Sequence, residues 1–194
     1  MFLNFMGLDI STKTGICIIQ VIFETGKYKI LHISEITAHS NNIYFGKLLR
    51  AGDIAMQVAE MCEEYDVHFA LIEGFAYANH YTLSMLTEIT TLIKYKLRLL
   101  HVPYLIIAPT SLKKFITGNG RATKLQMEKI CRLKYSLEYK HSLTSDTKVL
   151  TDNMVDAFSL AMVLHEVYTK KIDVNDITYE TISHLLEVGY VGVY

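Results

Sequence analysis

The chain opens with Met1-Phe-Leu-Asn-Phe-Met-Gly-Leu-Asp-Ile10, and this stretch sets the architecture of everything that follows. Nearly all of it is apolar, which is typical of a strand buried on both faces of a sheet. Asp9 stands at its end, where a carboxylate is costly to remove from water unless a cation pairs with it. We therefore expect Asp9 to be a site residue at the end of a core strand.

Two further strands follow the first, over residues 14–23 and 27–36. The sequence Glu24-Thr25-Gly26 between them predicts a hairpin turn. With the opening strand they predict a three-stranded antiparallel meander. Asp9 would then lie beside the polar turn that joins the first two strands.

Beyond the meander, helical and strand patterns alternate. Apolar spacing predicts helices over 42–65, with Asn42 as the cap, and over 81–100, and apolar runs predict strands over 67–72 and 103–108. Three helices follow, a short one from Pro109, a basic one over 124–137, and one from Thr151 or Asp152 to about residue 168. This order predicts an α/β protein whose mixed sheet carries helices on its faces.

Composition limits the class of protein. A chain of 194 residues that is 51 % hydrophobic with 2 prolines is expected to form one domain with a real core, not a disordered chain. It has no apolar run of the roughly 20 residues that a membrane span needs, and no secretion signal is predicted. The cysteines Cys17, Cys62 and Cys131 fit no zinc pattern and predict reduced core residues of a cytoplasmic protein.

Positive charge is concentrated in one segment. Between Lys94 and Lys134 there are ten Lys or Arg residues, opposed only by Glu128, although the whole chain has a net charge of −1. Such asymmetry indicates a basic face for a polyanion. The alternative is that these residues simply form solvated helix faces.

The predicted helix over 81–100 is apolar on two sides. One stripe starts at Leu83 and continues through Leu86, Thr90, Ile93, Leu97 and Leu100, and the second contains Met85, Ile89, Leu92 and Leu99. A helix with two apolar faces is covered on both. Two interpretations stay open, a single broad buried face, or the sheet on one side and a partner subunit on the other.

Three acids stand at the ends of predicted elements, Asp9, Glu73 and Asp156, with Asp152 and Asn153 one turn before the last. Carboxylates that meet repel one another, and hard divalent cations neutralise them. Two such ions about 4 Å apart can clamp a phosphodiester. The alternatives are that Asp9 caps a turn, Glu73 is a loop acid, Asp152 is favoured by the helix dipole, and Asp156 lies at the core edge.

The sequence resembles the RuvC-type Holliday junction resolvases of the ribonuclease H-like superfamily, and its short viral and phage-type members most. The matching segments are Gly7-Leu-Asp9 with Thr14-Gly15, Leu71-Ile-Glu73, Pro109 to Lys124, and Asp156-Ala157. The resemblance implies a mixed five-stranded sheet, three antiparallel strands and then two parallel ones, flanked by helices. It implies a nuclease domain over 1–170, with 171–194 as an extension packed on it.

The resemblance also implies the site. Asp9, Glu73 and Asp156 would ligate two Mg²⁺ ions, with Mn²⁺ as a substitute. The family's fourth ligand falls at Asn153, which departs from the family's pattern, so either its carbonyl oxygen or the neighbouring Asp152 would complete the set. The residues implied for the phosphate and the DNA are Lys113 and Lys124 beside the scissile bond, Lys114, Arg121, and an aromatic wedge at Phe75 or Tyr77.

The implied activity is Mg²⁺-dependent hydrolysis of branched DNA by a homodimer that makes paired symmetric nicks in four-way junctions. No membrane is expected to be involved, and the sequence does not show whether a helicase partner is needed. The location that the resemblance implies is the cytoplasm of a bacterium or of an infected host cell. Two alternatives stay open, a nuclease of RNA–DNA hybrids and a non-catalytic junction-binding protein. An actin-like ATPase half, which also opens with Gly-x-Asp, would need a second domain and a late glycine loop that the sequence lacks.

Overall fold

The computed structural model describes residues 2–22, 24–39, 45–75, 80–137 and 150–169, with the backbone alone for 80–82. These residues form five strands and five helices. The strands are β1 (Phe2–Asp9), β2 (Lys13–Ile22), β3 (Tyr28–Thr37), β4 (Phe69–Glu73) and β5 (Tyr104–Ile107). The helices are α1 (Gly46–Glu64), α2 (His80–Leu99), α3 (Pro109–Thr117), α4 (Lys124–Tyr135) and α5 (Asp152–Thr169).

The strands form one mixed sheet in the order β3-β2-β1-β4-β5. β1 pairs antiparallel with β2, and β2 with β3, whereas β4 runs parallel to both β1 and β5. The hairpin turn between β2 and β3 closes by a 2.8 Å bond from the Ile22 N–H to the Lys27 carbonyl, and Gly26 supplies its positive φ of 65°. The predicted sheet, three antiparallel strands followed by two parallel ones, is confirmed.

The helix α5 covers the centre of one face of the sheet, where it crosses β1 and β2. Gly7 makes this approach possible, since a Cβ at that position would overlap the carbonyl oxygen of Ala157. Ten of the eleven residues from Met154 to Leu164 are buried, and Asp156 is the exception. A helix enclosed in this way needs apolar residues on nearly every side, which explains why the segment is apolar all round. α3 and α4 complete the layer.

The other face of the sheet is covered by α1 and α2. Ile89, Ile93 and Leu97 of α2 are fully buried there, whereas Leu83 and Leu99 of the two predicted stripes are exposed. α1 begins at Gly46, four residues later than the sequence predicts. The predicted cap, Asn42, lies outside the described residues.

The three cysteines are buried free thiols in the two cores, as predicted. Burial raises the pKa of Cys62 to about 12 and that of Cys131 to about 11, so both stay as unreactive thiols at neutral pH. Among the described helices, none combines the length and the hydrophobicity required of a membrane-spanning segment.

Apart from the start of α1, the predicted helix boundaries agree with the structure to within one or two residues. α4 ends at Tyr135, because Ser136 adopts the left-handed conformation with φ 48° and the Leu137 N–H then bonds to the Cys131 carbonyl. The predicted extension over 171–194 and its short helix lie outside the described residues.

Candidate metal centre

Two acidic side chains stand at the same edge of the sheet. Asp9 is the last residue of β1, and Glu73 is the last residue of β4. These strands are parallel neighbours in which Leu8 is paired with Ile72, so both carboxylates follow at the carboxyl ends of adjacent strands. Sheets of this kind bind ligands at that edge.

The third acid comes from α5. Asp156 lies in the first turns of this helix, next to Ala157, whose carbonyl contacts Gly7 of β1. One oxygen each from Asp9, Glu73 and Asp156 lie within 4.8 Å of one another. The structure thus brings together the three acids that the sequence places on three separate elements.

Burial raises the pKa of all three acids, and repulsion within the group adds to the rise for Glu73 and Asp156. The pKa of Glu73 rises to about 8, first because the carboxyl is removed from water and then because Asp9 and Asp156 repel its charge. Burial and the nearby Asp9 raise the pKa of Asp156 to about 6. Burial also raises the pKa of Asp9, although a hydrogen bond with Glu73 opposes the rise. Near neutral pH this group therefore favours a bound proton or a bound cation.

The donor set suits a hard divalent cation. Asp9, Glu73 and Asp156 are each half-buried and offer only carboxylate oxygens, the ligands that Mg²⁺ and Mn²⁺ prefer. A cation here would offset the repulsion that otherwise raises the pKa of Glu73 and of Asp156. The residues present therefore fit a divalent ion.

Two lysines border the acids. The charge of Lys113 in α3 acts to lower the pKa of Glu73 and of Asp156, and that of Lys124 acts to lower the pKa of Asp9 and of Asp156. Both lysines belong to the segment that carries the family resemblance. Both predicted lysines thus lie beside the acids.

The turn between these lysines is fixed by the local sequence. α3 ends at Gly118, which takes a left-handed φ of 78°. α4 begins with a capping box in which the Thr123 hydroxyl accepts from the Gln126 N–H and the Gln126 side chain accepts from the Thr123 N–H. Lys113 and Lys124 thus lie on either side of a short turn that is capped at both ends.

The two candidates for the fourth ligand are engaged elsewhere. The Asp152 carboxylate lies 3.3 Å from the Lys124 ammonium, and its side chain is 62 % exposed. The Asn153 amide donates to the Lys13 carbonyl at 2.8 Å and to Glu35 Oε1 at 2.7 Å. The Asp152 carboxylate does not belong to the group of oxygens around Asp9. A fourth ligand at either position stays a prediction.

Glu35 is the functional neighbour that the sequence alone did not indicate. Besides Asn153, it accepts a 2.7 Å hydrogen bond from the Thr151 hydroxyl, and its charge contributes to raising the pKa of Asp9. The available signal was an acid next to the last residue of the strand predicted over 27–36. Period-two alternation did not say which face it occupies.

Three further residues that are predicted to contact DNA belong to the described part of the chain. Lys114 and Arg121 are exposed on α3 and on the turn that follows it. Phe75 is 39 % exposed, two residues beyond Glu73. Tyr77, the other candidate wedge, lies outside the described residues.

Neither a protein-family model nor a curated protein sequence matches this chain. Solved structures do match. RuvC of Thermus thermophilus has a TM-score of 0.67 at 18 % identity over 88 % of this chain and 96 % of its own. The same protein in complex with a Holliday junction substrate has a TM-score of 0.67 at 18 % identity over 86 % and 93 %. The yeast mitochondrial Holliday junction resolvase Ydc2 has a TM-score of 0.61 at 14 % identity over 93 % and 84 %.

The sheet order and the matching structures define the class of protein. The chain has a ribonuclease H-like fold, with a group of three carboxylates at the edge where its parallel strands end. Within that class, the matching structures named here are Holliday junction resolvases. The likeness to RuvC-type proteins that the sequence suggested is thereby confirmed at the level of the fold.

Proposed function

We propose that this protein is a divalent-metal-dependent endonuclease that resolves four-way DNA junctions. The proposal is carried by one observation, the meeting of Asp9, Glu73 and Asp156 at the ends of β1, β4 and α5, with Lys113 and Lys124 beside them. The shared fold with RuvC and Ydc2, both resolvases, supports the choice of substrate.

Asp9, Glu73 and Asp156 would hold two Mg²⁺ ions, or Mn²⁺ in their place, with Asp152 or Asn153 completing the set. When bound, the ions would supply activation of the attacking water and stabilisation of the 3′ oxygen that leaves, so that a 5′ phosphate results. The protein contributes three half-buried carboxylates whose repulsion a cation relieves.

Lys113 and Lys124 would hold the scissile phosphate. An ammonium group beside the reacting phosphate offsets the negative charge that develops during hydrolysis. Lys124 is paired with Asp152 in the protein alone, and the pair is more than half exposed, so that exchanging this carboxylate for a phosphate costs little. The exchange would also free Asp152 to approach the metal centre.

The DNA arms would lie along the surface formed by α3, α4 and the turn between them. Lys114 and Arg121 are exposed there and would contact phosphates without reading sequence. Phe75 is exposed beside the metal centre and would stack on unpaired bases at the junction, with Tyr77 as the alternative wedge.

Paired symmetric nicks require two copies of the site related by a two-fold axis, so we expect a homodimer. The described part of α1 and α2 leaves several large apolar side chains exposed, which favours burial against a second copy. They are Leu48, Leu49, Met56, Leu83, Tyr95 and Leu99.

The proposal also includes the extent of the domain and the location of the protein in the cell. The nuclease domain would span residues 1–170, with 171–194 packed on it. The buried free thiols support a reducing compartment, so a cytoplasmic location is proposed.

The test uses a labelled synthetic four-way junction and a linear duplex of the same sequence, each with and without Mg²⁺. We expect symmetric paired nicks in the junction only, and only with metal. Asp9→Asn should abolish cleavage and leave the junction Kd within about twofold, because the lysines still bind phosphate. Asp53→Asn, an exposed position on α1, is the matched control and should cleave like the natural chain.

Other outcomes would redirect the assignment. Cleavage by the Asp9→Asn variant would contradict the metal assignment. Tight junction binding without Mg²⁺-dependent cleavage would identify a junction-binding protein. Preferential cleavage of an RNA–DNA hybrid, run as a third substrate, would identify a ribonuclease H.

A further inference from the structure

The start of α5 is tied to β3 through one carboxylate. Glu35 Oε1 accepts from the Thr151 hydroxyl and from the Asn153 amide, both at 2.7 Å. The Thr151 hydroxyl also accepts from the Met154 N–H, so it caps the helix at the same time. The Asn153 amide reaches further, to the Lys13 carbonyl of β2 at 2.8 Å. The first turn of α5 is thus fastened to two strands.

This fastening lies level with the metal centre. Asp9 pairs with Gly15, and Gly15 pairs with Glu35, so the two acids stand in one row across three strands with a glycine between them. A Cβ on Gly15 would overlap the carbonyl oxygen of Asn153. The missing side chain therefore leaves the space into which the first turn of α5 descends.

A β-bulge puts Glu35 in this row. The β2–β3 register is regular from the hairpin turn up to Ile19, and it then shifts by one residue between Ile18 and Ile19. Without the shift Ser34 would stand opposite Gly15, and Glu35 would point to the opposite face of the sheet. Bulges that re-aim a side chain are frequent beside functional sites.

We propose that Glu35 is a positioning residue of the metal centre. Its carboxylate holds the first turn of α5 through Thr151 and Asn153 and so fixes Asp156, one turn further on, at the height of Asp9 and Glu73. The inference rests on the proposed function, because it assigns Glu35 to the same metal-dependent site. It also explains the role of Asn153, which stands where the resemblance places a fourth acidic ligand. The Asn153 amide donates the hydrogen bond that Glu35 accepts.

The role depends on an acceptor oxygen and not on ligation. Glu35 does not belong to the group of oxygens within 4.8 Å of one another. Glu35→Gln keeps a carbonyl oxygen that can accept from both donors, whereas Glu35→Ala removes the acceptor. The two variants therefore separate the role of holding the helix from the role of supplying charge.

The experiment measures Mn²⁺ affinity by titration calorimetry on the full chain, and kcat and the half-saturating Mg²⁺ concentration on the four-way junction. Second-layer partners of metal ligands are typically worth 10–100-fold in metal affinity or activity. We expect Glu35→Ala to weaken Mn²⁺ binding about tenfold, with a similar loss in kcat. Glu35→Gln should recover most of both. Glu63→Ala, an exposed acid on α1 at the opposite face of the sheet, is the control.

Two results would overturn the proposal. One is a Glu35→Ala chain whose Mn²⁺ affinity is unchanged, even if its Tm falls, because the contact would then serve only stability. The other is a Glu35→Gln chain as impaired as Glu35→Ala, because the charge and not the acceptor would then matter. A natural chain that binds Mn²⁺ but cuts no junction would refute the proposed function, while the calorimetry would still decide the role of Glu35.

The pairing with Asn153 gives an independent check. If both residues act through one contact, the double variant Glu35→Ala with Asn153→Ala should lose no more Mn²⁺ affinity than the worse of the single variants. Additive losses would contradict a shared contact.

Discussion

The Lys124 ammonium lies 3.3 Å from the Asp152 carboxylate, and more than half of each side chain is exposed. The pair joins the first residue of α4 to the first residue of α5, beside the three half-buried acids. Neighbouring acids, Asp152 first among them, raise the pKa of Lys124 although burial opposes the rise, so the lysine stays fully charged. An exposed pair contributes about 1 kcal/mol or less, which makes it a contact that a phosphate can replace.

Replacing both lysines of the site should weaken DNA binding through lost phosphate contacts. We expect Lys113→Ala with Lys124→Ala to reduce cleavage and junction affinity, and to lower the slope of log K against log salt by about 1.8, for two phosphates. Binding is measured between 50 and 200 mM salt, about the range over which such slopes are read. Lys27→Ala with Lys29→Ala, two exposed positions near the hairpin turn at the far end of the sheet, should leave the slope unchanged. An unchanged slope in the site variant would mean that its lysines never meet phosphate.

The fourth ligand can be tested through the metal requirement. If Asp152 leaves Lys124 to join the metal centre, Asp152→Asn should raise the half-saturating Mg²⁺ concentration about tenfold and change the Tm of the metal-free protein little, since the ion pair is exposed. The readout is the cleavage rate as Mg²⁺ is titrated at saturating junction. A requirement equal to that of the natural chain would exclude Asp152 as a ligand.

The metal-free protein should become less stable as pH rises. The pKa of Glu73 is about 8 in the folded state against an ordinary value of 4.5, so the folded protein holds a proton that the unfolded chain has released. The contribution of Glu73 to the free energy of unfolding is therefore full below pH 4.5 and is lost as pH rises towards 8. Calorimetry in EDTA should show that Glu73→Gln removes much of this fall in stability. In a separate series without EDTA, Mg²⁺ should raise the Tm of the natural chain more at pH 8 than at pH 5. If the difference in Tm between the natural chain and Glu73→Gln did not vary with pH, the raised pKa of Glu73 would be contradicted.

Gly15 should tolerate no side chain. Gly15→Ala places a Cβ against the Asn153 carbonyl, so we expect a loss of about 1–3 kcal/mol in the free energy of unfolding and weaker Mn²⁺ binding as α5 shifts. Gly52→Ala in α1 meets no atom within 4 Å and should stabilise the protein by about 0.5–1 kcal/mol, because alanine favours the helix. Urea titration compares the two. Equal stabilities would contradict the tight packing of α5 on β2.

Local patterns were enough to predict the fold and the three acids. Asp9 and Glu73 each end an apolar run, and the ends of neighbouring parallel strands must meet once the order of strands is known. Asp156 was assigned to the site by its place near the start of the last predicted long helix and by the resemblance to RuvC-type resolvases.

Glu35 could not be placed in the same way. Its face depends on the irregularity at Ile18 and Ile19, and counting residues back from the hairpin turn gives the wrong partner for Gly15. The Lys124–Asp152 ion pair could not be predicted from the sequence either. It depends on how α4 and α5 pack together, and the residues that connect these two helices lie outside the described chain. Long-range register and helix docking are set by packing, which single-sequence patterns do not encode.

The helix that supplies Asp156 is the last element of the described chain. A nascent chain with β1 to β5 already outside the ribosome would carry Asp9 and Glu73, but it would lack their third partner and any cover for Gly7. Domains generally fold as units while the chain is being synthesised. Because the third carboxylate belongs to α5, the group of three acids can assemble only after α5 has been made.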